Sequence, residues 1–241
     1  MKNIKKLYNL NYLDVTNKTH KVGNYDLPYV YCRSSVLPDY FALYSEVKDY
    51  HKTSRTCVCF FQDDIKFDGL FGLWNAIYYG DDELLDYYRQ RFKNVQFMIA
   101  PDYSLVEDIE NFENYYRLAK ARIVSVWLTV ELGIVCFPLL SFSKKEDFPL
   151  MISGMDDVAT ICVSLKGIMK SESRRKLTKE AIDYAVDNLP GLKNILVYSV
   201  SAIPDNEQDF FNYAESKGLS IIYPENSLRI RNRLKRENHH G

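Results

Sequence analysis

Histidine is scarce in this chain: four residues in 241, with His20 and His51 in the less regular amino-terminal part and His239 and His240 at the extreme carboxyl end. None falls at the end of a predicted strand, so neither a Ser-His-Asp nor a Cys-His arrangement is indicated. Cysteine numbers five, with no CxxC pair, which argues against a disulfide framework and a zinc knuckle. Cys57, Cys59, Cys136 and Cys162 sit inside apolar runs and Cys32 follows one, the placement of a small hydrophobe in a reducing compartment. Cys57-Val58-Cys59 would set two thiols on one strand face, a weak metal or redox signal beside plain core packing.

Other things are missing too. No stretch approaches the roughly 20 apolar residues that cross a bilayer, and the lysines of the first six residues precede no long apolar run. No signal peptide, anchor or membrane partner is expected, and the expected location is the cytoplasm. A net charge of −1 removes any global attraction to nucleic acid or anionic lipid, so such binding must be local. Neither the GxxxxGK loop nor the GxGxxG fingerprint occurs. Ser164-Leu165-Lys166-Gly167 and Ser199-Val200-Ser201 remain as weak anion-binding turns at helix starts. Internal repeats and low-complexity segments are absent.

What is present is aromatic residues, 19 Tyr and 13 Phe, and 46% hydrophobic residues. That suffices for a core without staples. From about residue 56, β-rich apolar runs alternate with segments of helical period. Strands are predicted at Thr56–Phe61, Val95–Ala100, Ile134–Phe137, Ala159–Ser164, Ile195–Ser199 and Leu219–Tyr223, with Tyr29–Cys32 as a first strand. The longest helix is predicted from about Asp108 to Leu132, on the spacing of Phe112, Tyr116, Ala119, Ile123, Trp127 and Val130, with Gly133 as its stop. Asp81 is placed to cap a helix that runs to Phe92. The expected class is therefore α/β, with about seven mostly parallel strands alternating with helices. An incomplete or distorted (β/α) barrel fits, as does an open doubly wound sheet. The expected organisation is an amino-terminal arm (1–24), one α/β domain (25–226) and a basic tail (227–241).

Three motifs in order, Phe60-Phe61-Gln62-Asp63-Asp64-Ile65-Lys66-Phe67, then Ala100-Pro101-Asp102-Tyr103-Ser104-Leu105, then Asn114-Tyr115-Tyr116-Arg117 leading to Trp127, resemble those of the domain-of-unknown-function family 4417. The resemblance covers roughly residues 25 to 226. It implies an origin in bacteria, phages or other mobile elements, and for a phage-encoded chain the host cytoplasm; the family brings no activity to transfer. After Pro138 the family tends to an Arg-Trp-Gly-Asp type segment where this chain has Leu139-Leu140-Ser141-Phe142-Ser143, and after Tyr198 it tends to Gly where this chain has Ser199. If those positions carry a family activity, it is lost or changed here.

Candidate chemistry lies at strand ends. Asp63 and Asp64 follow one strand and Asp102 the next, with Lys66 and Lys166 near in pattern. Converging carboxylates there would hold Mg²⁺ for phosphoryl or phosphodiester chemistry, with Asp63, Asp64, Asp102 and Lys66 as catalytic set; no other cofactor is indicated. The plainer reading is that these aspartates cap the helices that follow. Two basic clusters are candidate binding residues: Lys170, Arg174, Arg175, Lys176 and Lys179 at a helix start, where positive charge opposes the helix dipole, and Arg229, Arg231, Arg233, Lys235 and Arg236 in the tail. Together with the resemblance they lead to a phage or mobile-element accessory protein that binds a host protein or nucleic acid, in counter-defence or replication. The alternative is the metal-dependent enzyme on phosphate-containing or nucleic-acid substrates, and a third is an assembly role through tyrosine-rich contacts.

Overall fold

Short apolar runs fold as parallel strands, and the amphipathic segments between them as helices. In this computed structural model residues 8, 10–202 and 204–240 are described, the side chains of 204–206, 239 and 240 excepted. The first element with described bounds is α1 (Leu13–Thr16), followed by an antiparallel hairpin, β1 (Lys21–Val22) with β2 (Leu27–Pro28). There follow β3 (Tyr40–Leu43), β4 (Thr56–Cys59), α2 (Leu73–Tyr79), α3 (Asp82–Arg91), β5 (Phe97–Ile99), α4 (Asn111–Leu132), β6 (Val135–Phe137) and α5 (Phe148–Ile152). The chain continues through β7 (Thr160–Ser164), α6 (Glu172–Asn188), β8 (Asn194–Tyr198), α7 (Asn212–Ser216), β9 (Ser220–Ile222), β10 (Glu225–Asn226) and α8 (Ser227–His240). All of β4 and β5 and the first four residues of β7 are buried, as expected of parallel strands covered on both faces.

One parallel sheet has the order β10-β3-β4-β5-β6 and a second the order β7-β8-β9. They are joined where Leu139 bridges to Cys162, the Cys162 N–H donating to Pro138 O and the Leu140 N–H to Cys162 O. At the other end β9 pairs with β8, and three residues on β10 pairs with β3. Pro224 lies between the two, and a residue without an N–H is where a ladder changes partner. The strands therefore run in sequence order and return to their start, interrupted at two places: an incomplete, distorted (β/α) ring. No closed barrel forms among the described strands, as expected of an incomplete barrel or an open sheet. Rings from β3, the end of β4 and β8 fill the interior: Phe41 lies 6.3 Å from Phe61 and 5.7 Å from Tyr198, and Phe61 lies 4.4 Å from Tyr198.

Two expectations fail. Tyr29–Cys32 is not a strand: its alternation is real, with Val30 and Cys32 buried and Tyr31 exposed, but its backbone bonds go to His20 O, Gly154 O and the Ala159 N–H, none of them in a strand. The first ring strand is instead Tyr40–Leu43, too short to stand out beside Pro38-Asp39. In α4, Phe112, Tyr116 and Val130 point outward, at 70%, 45% and 46% exposure, while every residue from Lys120 to Leu128 is buried. The helix is covered on both sides, by the ring and by α1 with β2, so a single apolar stripe does not describe it. Its stop is as expected, Gly133 being left-handed at φ 67°, with its N–H donating to Thr129 O and the Ile134 N–H to Leu128 O. Asp81 likewise caps α3, accepting the Leu84 N–H at 3.0 Å.

Candidate functional site

The loops after β5, β6 and β7, with the first turns of α6, enclose a pocket of about 860 Å³. This is the carboxyl-end face of the strands, where parallel α/β proteins assemble their ligand sites. Asp102 lies three residues past β5, with Ser104 beyond it; Ser164 ends β7 and Lys166 follows. Leu139 to Ser143 form the wall after β6. That wall is fixed by Asp147, whose Oδ2 accepts the Ser143 N–H and Oγ–H, both at 2.7 Å, and the Lys144 N–H at 3.1 Å.

Asp64 joins two loops. Its carboxylate accepts the Ser104 N–H at 3.2 Å and the Ser104 Oγ–H at 3.0 Å, and pairs with Arg117 of α4 at 3.4 Å. Arg117 in turn donates to Ser104 O and pairs with Glu113, each at 3.0 Å. The motifs quoted above thus meet in space: the acidic loop after β4, the loop after β5 and the Arg of α4.

Asp102 is different. No group among the described residues donates a hydrogen bond to it. Burial raises its carboxyl to about 6, the neighbouring Asp64 charge adds to this, and Lys166 opposes both. A carboxyl with that balance exchanges protons close to neutral pH, the property expected of an acid–base group. Lys166 is held across the ring, its Nζ donating to Phe61 O at 2.8 Å.

The remaining candidates fall elsewhere. Asp63 stands at the amino end of the 3₁₀ turn Asp64–Lys66 but its side chain caps nothing, and both Asp63 and Lys66 are exposed. Asp64 and Asp102 are not caps either: the first bonds a neighbouring loop, and α4 is preceded by Glu110 without a side-chain cap. Among the described residues no three of His, Cys, Asp and Glu converge to hold a metal, and Asp64 has its oxygens engaged by Ser104 and Arg117. The donor set does not fit the three-aspartate Mg²⁺ site. All five thiols are buried and unpaired; those of Cys57 and Cys59 are pushed up by burial, which leaves their strand pairing as core packing.

Of the basic residues, Arg174 and Lys176 line the pocket, and Lys170, Arg175 and Lys179 lie exposed around them. The pocket is not basic overall, because Glu107, Asp108, Glu146 and Glu180 also line it and Lys145 pairs with Glu180 at 2.8 Å. In the tail, Arg231, Lys235 and Arg236 are exposed on α8 and Arg233 pairs with Glu225 at 3.2 Å. Arg229 is only 9% exposed, lying 5.6 Å over the Tyr223 ring. Ser104 and Arg117, both within the quoted motifs, are site residues beyond those expected from the sequence; the signal for Ser104 is its place two residues past Asp102 on the same loop.

Fold and site together define the class: a parallel (β/α) protein with a polar strand-end pocket around one tuned carboxyl. The chain belongs to the family described as domain of unknown function (DUF4417), whose model matches residues 19–216. No curated protein and no solved structure matches it. Among the described residues no helix is long and apolar enough to cross a membrane.

Proposed function

We propose that this protein is an acid–base enzyme acting on a polar small molecule held in the strand-end pocket, with Asp102 as the proton-transferring group and Lys166 as the adjacent cation. The observation that supports it is Asp102 itself: a carboxyl at a strand end, lining the pocket, free of hydrogen-bond donors and raised to about 6. Hydroxyls of Ser104, Ser143, Ser164 and Ser173 and charges of both signs surround it, which suits a substrate with polar groups throughout better than a bare phosphate chain. Incubating the native chain and Asp102→Asn with a pooled library of polar metabolites, followed by mass spectrometry, tests the reading. Turnover by the native chain that falls at least about 100-fold in Asp102→Asn is expected for loss of the proton-transfer group; equal turnover by both rejects Asp102.

A second reading is favoured by one observation. Lys170, Arg174, Arg175, Lys176 and Lys179 are all exposed at the start of α6, two of them on the pocket wall. A phage or mobile-element accessory protein could use that face for nucleic acid or for an acidic host protein. Mobility-shift assays at two salt concentrations, with Arg174→Glu/Lys176→Glu as control, test it. Binding that is indifferent to salt and to the charge reversal would remove this reading.

A further inference from the structure

Arg122 lies in the middle of α4, 3% exposed, inside the run Ala121–Leu128 that is buried throughout. Its Nη2 donates to Met151 O at 2.8 Å, tying α4 to α5. Its Nη1 is buried and has no partner among the described residues, and no ion pair to Arg122 exists among them. Burial alone acts on the guanidinium, lowering it to about 10 with no acidic side chain opposing the effect. It therefore remains charged at neutral pH. A buried cation of this kind needs either an anion or water at its free N–H groups.

Arg122 also lines two small cavities. One, of about 60 Å³, is a cleft between α4 and the extended segment through Tyr29–Tyr31, with Thr19, Ser125, Thr129 and Cys136 among its walls. The other, of about 20 Å³, leads past Pro101 and Pro138 to Leu139 and Ser141, which also line the large pocket. The smaller holds about one water, whereas the larger has room for a small ion. Lys18 at the rim of the cleft is already paired with Glu131, so the uncompensated charge of the cleft is that of Arg122.

We propose that Arg122 forms the floor of a binding site for a small monoanion, a halide or a carboxylate of one or two carbons, reached between α4 and residues 29–31. A planar guanidinium suits a carboxylate, and a cleft of about 60 Å³ suits a small anion. The site is separate from Asp102 and does not depend on the enzymatic reading.

The test is thermal unfolding of the full chain at constant ionic strength. Gluconate, a bulky six-carbon monoanion, is replaced stepwise by chloride, formate or acetate. A saturable rise in Tm, about 3 °C at tenfold over half-saturation, is expected with at least one of the three, and no rise with Arg122→Met. Which anion acts distinguishes a halide from a carboxylate site. Should Arg122→Met fail to fold, crystals of the native chain grown in bromide give the answer directly, since an anomalous peak within hydrogen-bond reach of Nη1 is expected. The proposal is overturned by a Tm that is the same in all four anions, by an equal response in Arg122→Met, or by a bromide map without a peak at Arg122.

Discussion

Lys166, in the turn after β7, donates its Nζ to the carbonyl oxygen of Phe61 at the end of β4, joining residues 105 positions apart across the mouth of the strand ring. Phe61 is in turn packed against Tyr198 of β8 at 4.4 Å. The cation is thus anchored to the aromatic plug of the ring and set beside Asp102, where it opposes the effects of burial and of Asp64.

Removing that cation has a definite consequence. Lys166→Met takes away the one neighbour that lowers the Asp102 carboxyl, so its titration midpoint should move upward from about 6. Carbon-detected NMR of labelled aspartate reads this directly. An unchanged midpoint would mean that Lys166 does not act on Asp102.

The Asp102 carboxyl also makes stability depend on pH. Its folded-state value, about 6, lies above its ordinary 3.8, so the folded protein favours the protonated form. The associated stability is fully present below about pH 4 and is lost as pH rises through 6, a loss of at most about 3 kcal/mol for a group at the pocket wall. Asp102→Asn cannot ionise. The variant should match the native chain in urea midpoint near pH 4 and exceed it increasingly from pH 5 to 7.5. A gap that is constant across that range would contradict the raised carboxyl.

How much of this was legible in the sequence follows from what the chain encodes locally. The strand-helix alternation from Thr56 onward is readable because β4, β5 and most of β7 are buried on both faces and so are written as continuous apolar runs. Gly133 and Asp81 were readable because a left-handed stop and a side-chain cap are single-residue signals. The Tyr29–Cys32 segment alternates because it is buried on one side, and alternation reports burial rather than pairing: its partners His20, Gly154 and Ala159 lie outside strands. Asp64 and Asp102 were identifiable as strand-end residues, but their different fates depend on Arg117 and Ser104, whose contacts span 53 and 40 positions. Lys120 and Arg122 could have been noticed: two cations within the most apolar stretch of a helix cannot both face solvent.

Lys120 is the compensated member of that pair. Its ammonium is paired with Asp68 and lies 4.3 Å over the Tyr103 ring and 5.9 Å from that of Trp74. Lys120→Met leaves Asp68 unpaired next to aromatic surface and should cost about 3 kcal/mol in urea denaturation. Adding Asp68→Asn removes the stranded charge, so the double variant should recover part of that loss. Equal stability of Lys120→Met and the native chain would show the pair to be solvated rather than structural.

A buried side chain ties down the start of the tail helix. Asn226, 1% exposed, accepts the Arg229 N–H at 2.9 Å and donates to Ser199 O at 2.8 Å, so it both caps α8 and ties it to the end of β8. Asn226→Ala leaves a buried carbonyl and a first-turn N–H without partners, at a cost of about 2 kcal/mol. Asn226→Ser keeps a cap oxygen while losing the reach to Ser199 O, so it should fall between the two. Hydrogen exchange separates cap from tie. In Asn226→Ala the amides of α8 should exchange faster together, whereas those of β7 stay protected, because β7 lies outside the Asn226 contacts. If α8 protection is unchanged in Asn226→Ala, the helix is held by its packing alone, and presentation of Arg231, Lys235 and Arg236 would not depend on this cap.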